Sequence, residues 1–150
     1  MTVQYLNDLV PGQLFGGAAR IRIEPQRVAD FAAEFDPQPF HLDAEAAKDT
    51  LFRGLAASGW QTAAVSMRLL VDSDFRPAGG IVGAGFEELR WPLPVRPGDV
   101  LRVESEVLDV RTSASRPQQG MVKLRTSTYN QDDQLVQLSV GNLVVQRRPA

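Results

Sequence analysis

Asp36 and His41 are the side chains whose types and spacing best suit proton-transfer chemistry. They stand five residues apart in Asp36-Pro37-Gln38-Pro39-Phe40-His41, and His41 is the only histidine in the chain. A carboxylate and an imidazole sharing one water can divide the work of moving its protons, and positioned acid-base groups contribute about 10²–10⁴ in rate. The two intervening prolines fix backbone angles and reduce the entropy lost in holding such a pair still. Phe31, Phe35 and Phe40 flank the pair; packed around it, they would lower the local dielectric and disfavour the ionised carboxyl. Spacing alone also fits a structural reading, because Asp-Pro opens turns and a single His can serve as a packed residue.

Ser58-Gly59 is a second candidate. Ser58 suits the N-cap of the following helix, and with Gln61 it forms an S-x-x-Q capping box. Gly59 would be the first helical residue. Free amides and a partial positive charge gather there, and glycine admits a ligand close to the backbone. A carbonyl at that amide would have a developing oxyanion stabilised by about 3–4 kcal/mol per donor. Arg53, Arg68 and Arg76 could meet phosphates or simply solvate a face, while Trp60 and Trp91 read as core residues.

These groups need a scaffold. Arg20–Glu24 alternates and reads as a short strand after an irregular lead-in over 1–19 with a turn at Pro11-Gly12. Pro25 opens a helix whose apolar face is Val28, Phe31, Ala32 and Phe35. The two prolines after Asp36 stop it and leave an irregular segment carrying the pair. Asp43 caps a short helix over 44–49. The clearest helix follows Ser58, with Trp60, Ala63, Ala64, Met67, Leu70 and Val71 on one face and Arg68 and Asp72 as an i, i+4 pair. From Gly79 the pattern turns to strands: 81–91, with a phase slip near Glu87-Glu88 that marks a bulge, and alternating runs at Leu101–Val107, Val122–Thr128 and Val136–Val140. Loops fall at 112–119 and at 130–134. One strand, then helices, then antiparallel strands is an α+β layout with a long helix against a curled sheet.

Composition excludes several classes. The 150 residues suit a single domain, with 43% hydrophobic and 23% charged residues and a formal charge of −2. A chain so near neutrality lacks the basic face of a nucleic-acid binder. Cysteine is absent, so disulfides, thiolate metal sites and a cysteine nucleophile are ruled out, and one His makes a thin metal shell. No apolar run reaches the roughly 20 residues that span a bilayer, and the N-terminus does not read as a signal peptide. The cytoplasm is the default compartment.

The stretch FAAEFDPQPFHLDAEAAKDTLFRGLAASGWQTAA resembles the hydratase motif of MaoC-like proteins and (R)-specific enoyl-CoA hydratases. That motif runs F-A-x-x-x-G-D-x-N-P-x-H-x-D, with A-H-G before the long helix. Asp36, His41, Pro39, Asp43, Ala47, Phe52 and Gly59 fit it. LRWPLPVRPGDVLRVESEVLDVR resembles the family's R-F-x-x-P-V-x-x-G-D segment, and YNQDDQLVQLSVGNLVV its closing strand pair. The likeness spans roughly residues 20–147.

The resemblance implies a hot-dog fold, an antiparallel sheet wrapped around the central helix, and pairing into a homodimer or higher homo-oligomer through sheets joined edge to edge. It implies hydration of a trans-2-enoyl-CoA to an (R)-3-hydroxyacyl-CoA, or the reverse, with no metal or organic cofactor. Asp36 and His41 would be catalytic and would hold a water between them. The Gly59 amide would polarise the thioester oxygen, and Ser58, Gln38 and Phe40 would line the substrate site. The sequence departs from the motif at Phe35 for Gly, Gln38 for Asn and Ser58 for His. Two other readings share this outline. A hot-dog thioesterase would release free thiol from acyl-CoA without needing His41. A non-catalytic acyl-thioester binding module would bind without consuming the enoyl group.

Overall fold

The computed structural model describes residues 2–150. Its elements are β1 (Leu14–Phe15), β2 (Ile21–Arg22), α1 (Pro25–Phe35), α2 (Pro39–Leu42), α3 (Ala44–Ala47), α4 (Gly59–Val71), β3 (Val82–Arg90), β4 (Val100–Thr112), β5 (Gln119–Tyr129) and β6 (Leu135–Gln146). The lead-in is more ordered than its sequence suggests: Leu6–Asp8 forms a 3-10 turn, and β1 pairs with β4. No helix among the described residues is long and apolar enough to cross a membrane.

The six-stranded sheet runs β1-β4-β5-β6-β3, all pairs antiparallel, with β2 added on β4. This is the expected α+β hot-dog arrangement, with α4 on the sheet's inner face. Leu70 joins Val107, Leu124 and Leu143 in one apolar cluster, and Leu69 joins Leu101, Val103 and Val136 in a second. The anticipated slip in β3 is present between Phe86 and Glu88, with another at Gly83/Gly85. On β4 and β5 the inward residues are those the alternation predicts, from Leu101 to Val107 and from Val122 to Thr128.

β6 departs from its apparent phase. Val136, Leu138 and Val140 are the apolar positions, yet Leu138 is half-buried while Gln137 and Ser139 are buried. β6 lies between β5 and β3, so it has no free edge, and a register shift at Thr128/Tyr129 turns its residues relative to β5. Val136 is the extra residue at that shift, and beyond it Gln137 and Ser139 share the inner face with their partners Thr128 and Thr126.

α4 spans the residues predicted for it, but its sheet-facing side differs. Thr62, Ser66, Leu69 and Leu70 are buried, and Ser66 Oγ meets Thr128 Oγ1 at 2.6 Å. Trp60, Met67 and Val71, placed on the apolar face by periodicity, are exposed, at 60% for Trp60. Small hydroxylated residues let the helix approach the strands closely, and their bonds satisfy the hydroxyls. The larger apolar face is left over an open cavity.

Candidate active site

α1 ends at Phe35, and Asp36 is its C-cap. The next residues are not irregular: Pro39 supplies the first residue of the one-turn helix α2, which carries His41. Proline at that position lacks only an amide that would be orphaned anyway. Asp43 then caps α3 through the Glu45 amide, as predicted, although α3 ends at Ala47.

The chain folds Asp36 and His41 onto each other: His41 Nε2 lies 3.3 Å from Asp36 Oδ2. His41 is buried, and its Nδ1 is 2.6 Å from the carbonyl oxygen of Ala56. A carbonyl can only accept, so Nδ1 carries a proton and Nε2 is the nitrogen turned to the carboxylate, an acceptor in the neutral imidazole and a donor in the imidazolium. With the ring neutral, carboxylate and Nε2 are two acceptors that can cradle a molecule with two protons to give. The separation is a direct contact, unlike the water-bridged pair expected. A water giving a hydrogen bond of about 2.8 Å to each acceptor would separate them by about 4.4 Å. Seating it needs the pair to part by about 1 Å.

Asp36 is held at both oxygens. Gln38 Nε2 donates to Oδ1, and the Ser58 hydroxyl donates to Oδ2 at 2.8 Å. The Gln38 hydrogen bond is the main cause that holds the Asp36 carboxyl below its ordinary range; burial opposes it, and Ser58 and His41 add to the lowering. Enclosure does not raise this carboxyl, contrary to expectation, because hydrogen bonds to its charged form outweigh the desolvation. The aromatic wall also differs. Phe40 meets the His41 ring edge-on at 4.6 Å and Phe52 lies 6.0 Å from it, whereas Phe31 and Phe35 pack on each other at 5.1 Å. Phe35 is 65% exposed.

Ser58 is fully buried and serves two partners, accepting from the Trp60 amide at 3.2 Å while donating to Asp36. The capping box does not close, for Ser58 caps Trp60 rather than Gln61, and Gln61 Oε1 is buried without a partner. The Gly59 amide has no acceptor among the described residues. Its glycine is required by an unforeseen neighbour: a Cβ there would sit 2.7 Å from Trp91 Cε2. Trp91 is thus a half-open cover on the first turn of α4, not a core residue, and its Nε1 donates to Gln137 Oε1 at 2.9 Å. Arg53 precedes α4, whereas Arg68 lies near its far end, paired with Asp72 at 2.9 Å, and Arg76 lies beyond it against Gln4. They do not form one phosphate cluster on α4.

Two contributors were missed in the sequence. Arg96 donates to the carbonyls of Phe52, Gly54 and Leu55 at 2.6, 3.0 and 3.2 Å, pinning the connector that supplies Phe52 and Ala56 to His41. Its place before the Pro-Gly turn after β3 gave no sign of this. Gln137 was hidden by the apparent phase of β6.

A cavity of about 270 Å³ runs along α4 from Trp60 to Leu70, walled by β3, β5 and β6. Asp36 and His41 are not in its wall. It reaches the first turn of α4 through Trp60, and through Gln137 it adjoins the Trp91 cover on Gly59. The arrangement joins a two-acceptor cradle, a free helix N-terminal amide and a mostly apolar slot.

The sequence profile of the MaoC like domain family matches residues 7–130. The chain belongs to this family. It is 34% identical over 140 residues to the uncharacterized protein YdeM of Bacillus subtilis, covering 93% of this chain and 96% of that protein. Among solved structures, the MaoC-like dehydratase from Rhodospirillum rubrum is 53% identical, with a TM-score of 0.93 over 98% of this chain and 99% of that one. The (R)-hydratase from A. caviae involved in PHA biosynthesis is 30% identical, with a TM-score of 0.66 over 93% and 98% of the two chains. A hydratase-type MaoC scaffold is therefore common to this chain and to these structures.

Proposed function

We propose that the protein interconverts a trans-2-enoyl-CoA and an (R)-3-hydroxyacyl-CoA by addition or loss of water. The observation that carries this is the Asp36 carboxylate facing Nε2 of His41 at 3.3 Å, beside the first turn of α4 with its unengaged Gly59 amide.

In the hydration direction, with His41 neutral, water donates a hydrogen bond to Asp36 and one to His41 Nε2 and points an oxygen lone pair at C3. As the O–C3 bond forms, one water proton passes to the dyad and the C2–C3 π electrons move into the thioester. The Gly59 N–H stabilises the resulting enolate oxygen. The captured proton is then delivered to C2, so water is consumed whole and the dyad returns to its starting state. Dehydration runs the same steps backwards. Ser58 and Gln38 fix the carboxylate, and Phe40 fixes the ring. The acyl chain lies in the cavity along α4, whose small volume suits a short acyl group. The (R) configuration and the CoA carrier follow from the family resemblance.

The test is hydration of crotonyl-CoA and hexenoyl-CoA, followed as loss of the enoyl thioester absorbance. Asp36→Asn and His41→Ala should each lower kcat/KM by about 10²–10⁴ with circular dichroism unchanged. Wild-type rates in both variants would end the dyad assignment, and release of free thiol without hydration would favour a thioesterase.

A further inference from the structure

The cavity along α4 is apolar except for a few groups, and most of those are already engaged. Ser66 Oγ is bonded to Thr128 Oγ1 and to the Thr62 carbonyl, and Thr126 Oγ1 to Ser105 Oγ. Gln137 and Ser139 differ. They are 3% and 8% exposed and line the cavity from alternate positions of β6, so both point to the same face. The Trp91 indole N–H can only donate, so its 2.9 Å bond fixes which end of the Gln137 amide is oxygen. The other end, the Nε2 amide group with two donors, has no partner among the described residues, and neither has the Ser139 hydroxyl.

Both groups open onto the cavity, so an acyl chain entering it would displace the water that can meet them and strand the donors unless it brought an oxygen of its own. No charged residue lines this cavity. A carboxylate would be stripped of water there with no cation to meet it, whereas a neutral oxygen would not suffer that penalty. We propose that Gln137 and Ser139 are specificity-determining residues that select short acyl thioesters carrying a neutral oxygen, a hydroxyl or a carbonyl, along the chain. Trp91 is a positioning residue that aims the Gln137 amide. This rests on the acyl chain occupying the cavity, as the hydratase reading has it.

The test uses saturated, unreactive thioesters, so that binding is read apart from turnover. Calorimetry compares 6-hydroxyhexanoyl-CoA with its isostere heptanoyl-CoA, and 7-hydroxyheptanoyl-CoA with octanoyl-CoA. A carboxylate-ended partner, adipoyl-CoA, forms the third arm. At least one hydroxylated compound should bind about tenfold or more tightly than its methyl isostere, since sites built to hydrogen-bond a hydroxyl discriminate strongly against its loss. Adipoyl-CoA should bind more weakly than the hydroxylated compounds. Gln137→Leu should bring the ratio to about one. Ser139→Ala, a smaller change that leaves the Trp91 bond in place, should reduce it. Equal binding of both members of each pair, tighter binding of the methyl isosteres, no measurable binding of any, or a preference for adipoyl-CoA would each overturn the assignment. A retained hydroxyl preference in a protein that hydrates no enoyl-CoA would instead overturn the hydratase reading alone.

Discussion

Each oxygen of Asp36 has its own donor, one close by in the chain and one far downstream. Gln38 is two residues away on the exposed surface, whereas Ser58 is buried at the cap of α4. Replacing Gln38 by Met removes the largest cause of the lowered Asp36 pKa while sparing the buried Ser58 hydrogen bond. The Asp36 pKa should rise toward the ordinary value near 3.9, read by ¹³C titration of its carboxyl carbon. The sign for stability follows. A carboxyl depressed in the folded state stabilises that state above its unfolded pKa, and the contribution is lost as pH falls through the lower, folded value. Gln38→Met should therefore be less stable than the wild type near neutral pH and equal to it in strong acid, as measured by urea unfolding across that range. Unchanged titration in the variant would mean that Ser58 alone holds the carboxylate. The dyad itself was legible in the sequence because the single histidine stands five residues from an aspartate across two prolines. The double duty of Ser58 was not, because a cap and a carboxylate partner use the same hydroxyl and only the fold of α1 onto α4 brings Asp36 there.

Between elements, the connector 52–57 does more than join α3 to α4. Its carbonyl at Ala56 sets the His41 tautomer, its Phe52 ring lies beside the imidazole, and Ala56 N returns a hydrogen bond to Phe40 at 2.9 Å. Arg96 binds three of its carbonyls at once with a forked guanidinium, a geometry that Lys cannot reproduce. Arg96→Lys should leave the fold in place, because Ala57 N still bonds the Val95 carbonyl at 2.8 Å. It should reduce kcat by about ten- to a hundredfold, the loss of about 1.4–2.7 kcal/mol of positioning, with a smaller change in KM. Faster amide exchange across 52–57 should accompany it; a rigid connector with full kcat would show that Arg96 is merely structural. The element boundaries of α4 were readable from its cap and spacing, but its buried face was not. Thr62 and Ser66 look polar in sequence and are buried because β5 offers them a hydroxyl and the helix a carbonyl. The same compensation hides Gln137 in β6, where Trp91 supplies the donor.

For the molecule as a whole, the sheet is finished on one side and open on the other. The β1 end is two residues long, but β3 presents nine residues that pair only with β6. Val82 and Phe86 on that strand are 52% and 62% exposed, and Trp60, Met67 and Val71 of α4 add further exposed apolar surface. An unpaired, apolar edge invites a second strand, and a second copy would bring the same edge to a two-fold axis. Phe86 and Met67 also line the cavity along α4, so this pairing would close the cavity's open side. The chain is therefore expected to be a homodimer joined at β3, and sedimentation should give twice the chain mass. Ala84→Pro denies an amide to a second copy's strand at the bulge where β6 does not pair, and Phe86→Lys puts charge on the edge; together they should shift the protein to a monomer. Because the cavity would lose its cover, KM for hexenoyl-CoA should rise more than that for crotonyl-CoA, whose shorter chain reaches less far along α4. A double variant that stays dimeric would place the interface elsewhere. A monomer with unaltered chain-length dependence would separate assembly from substrate binding.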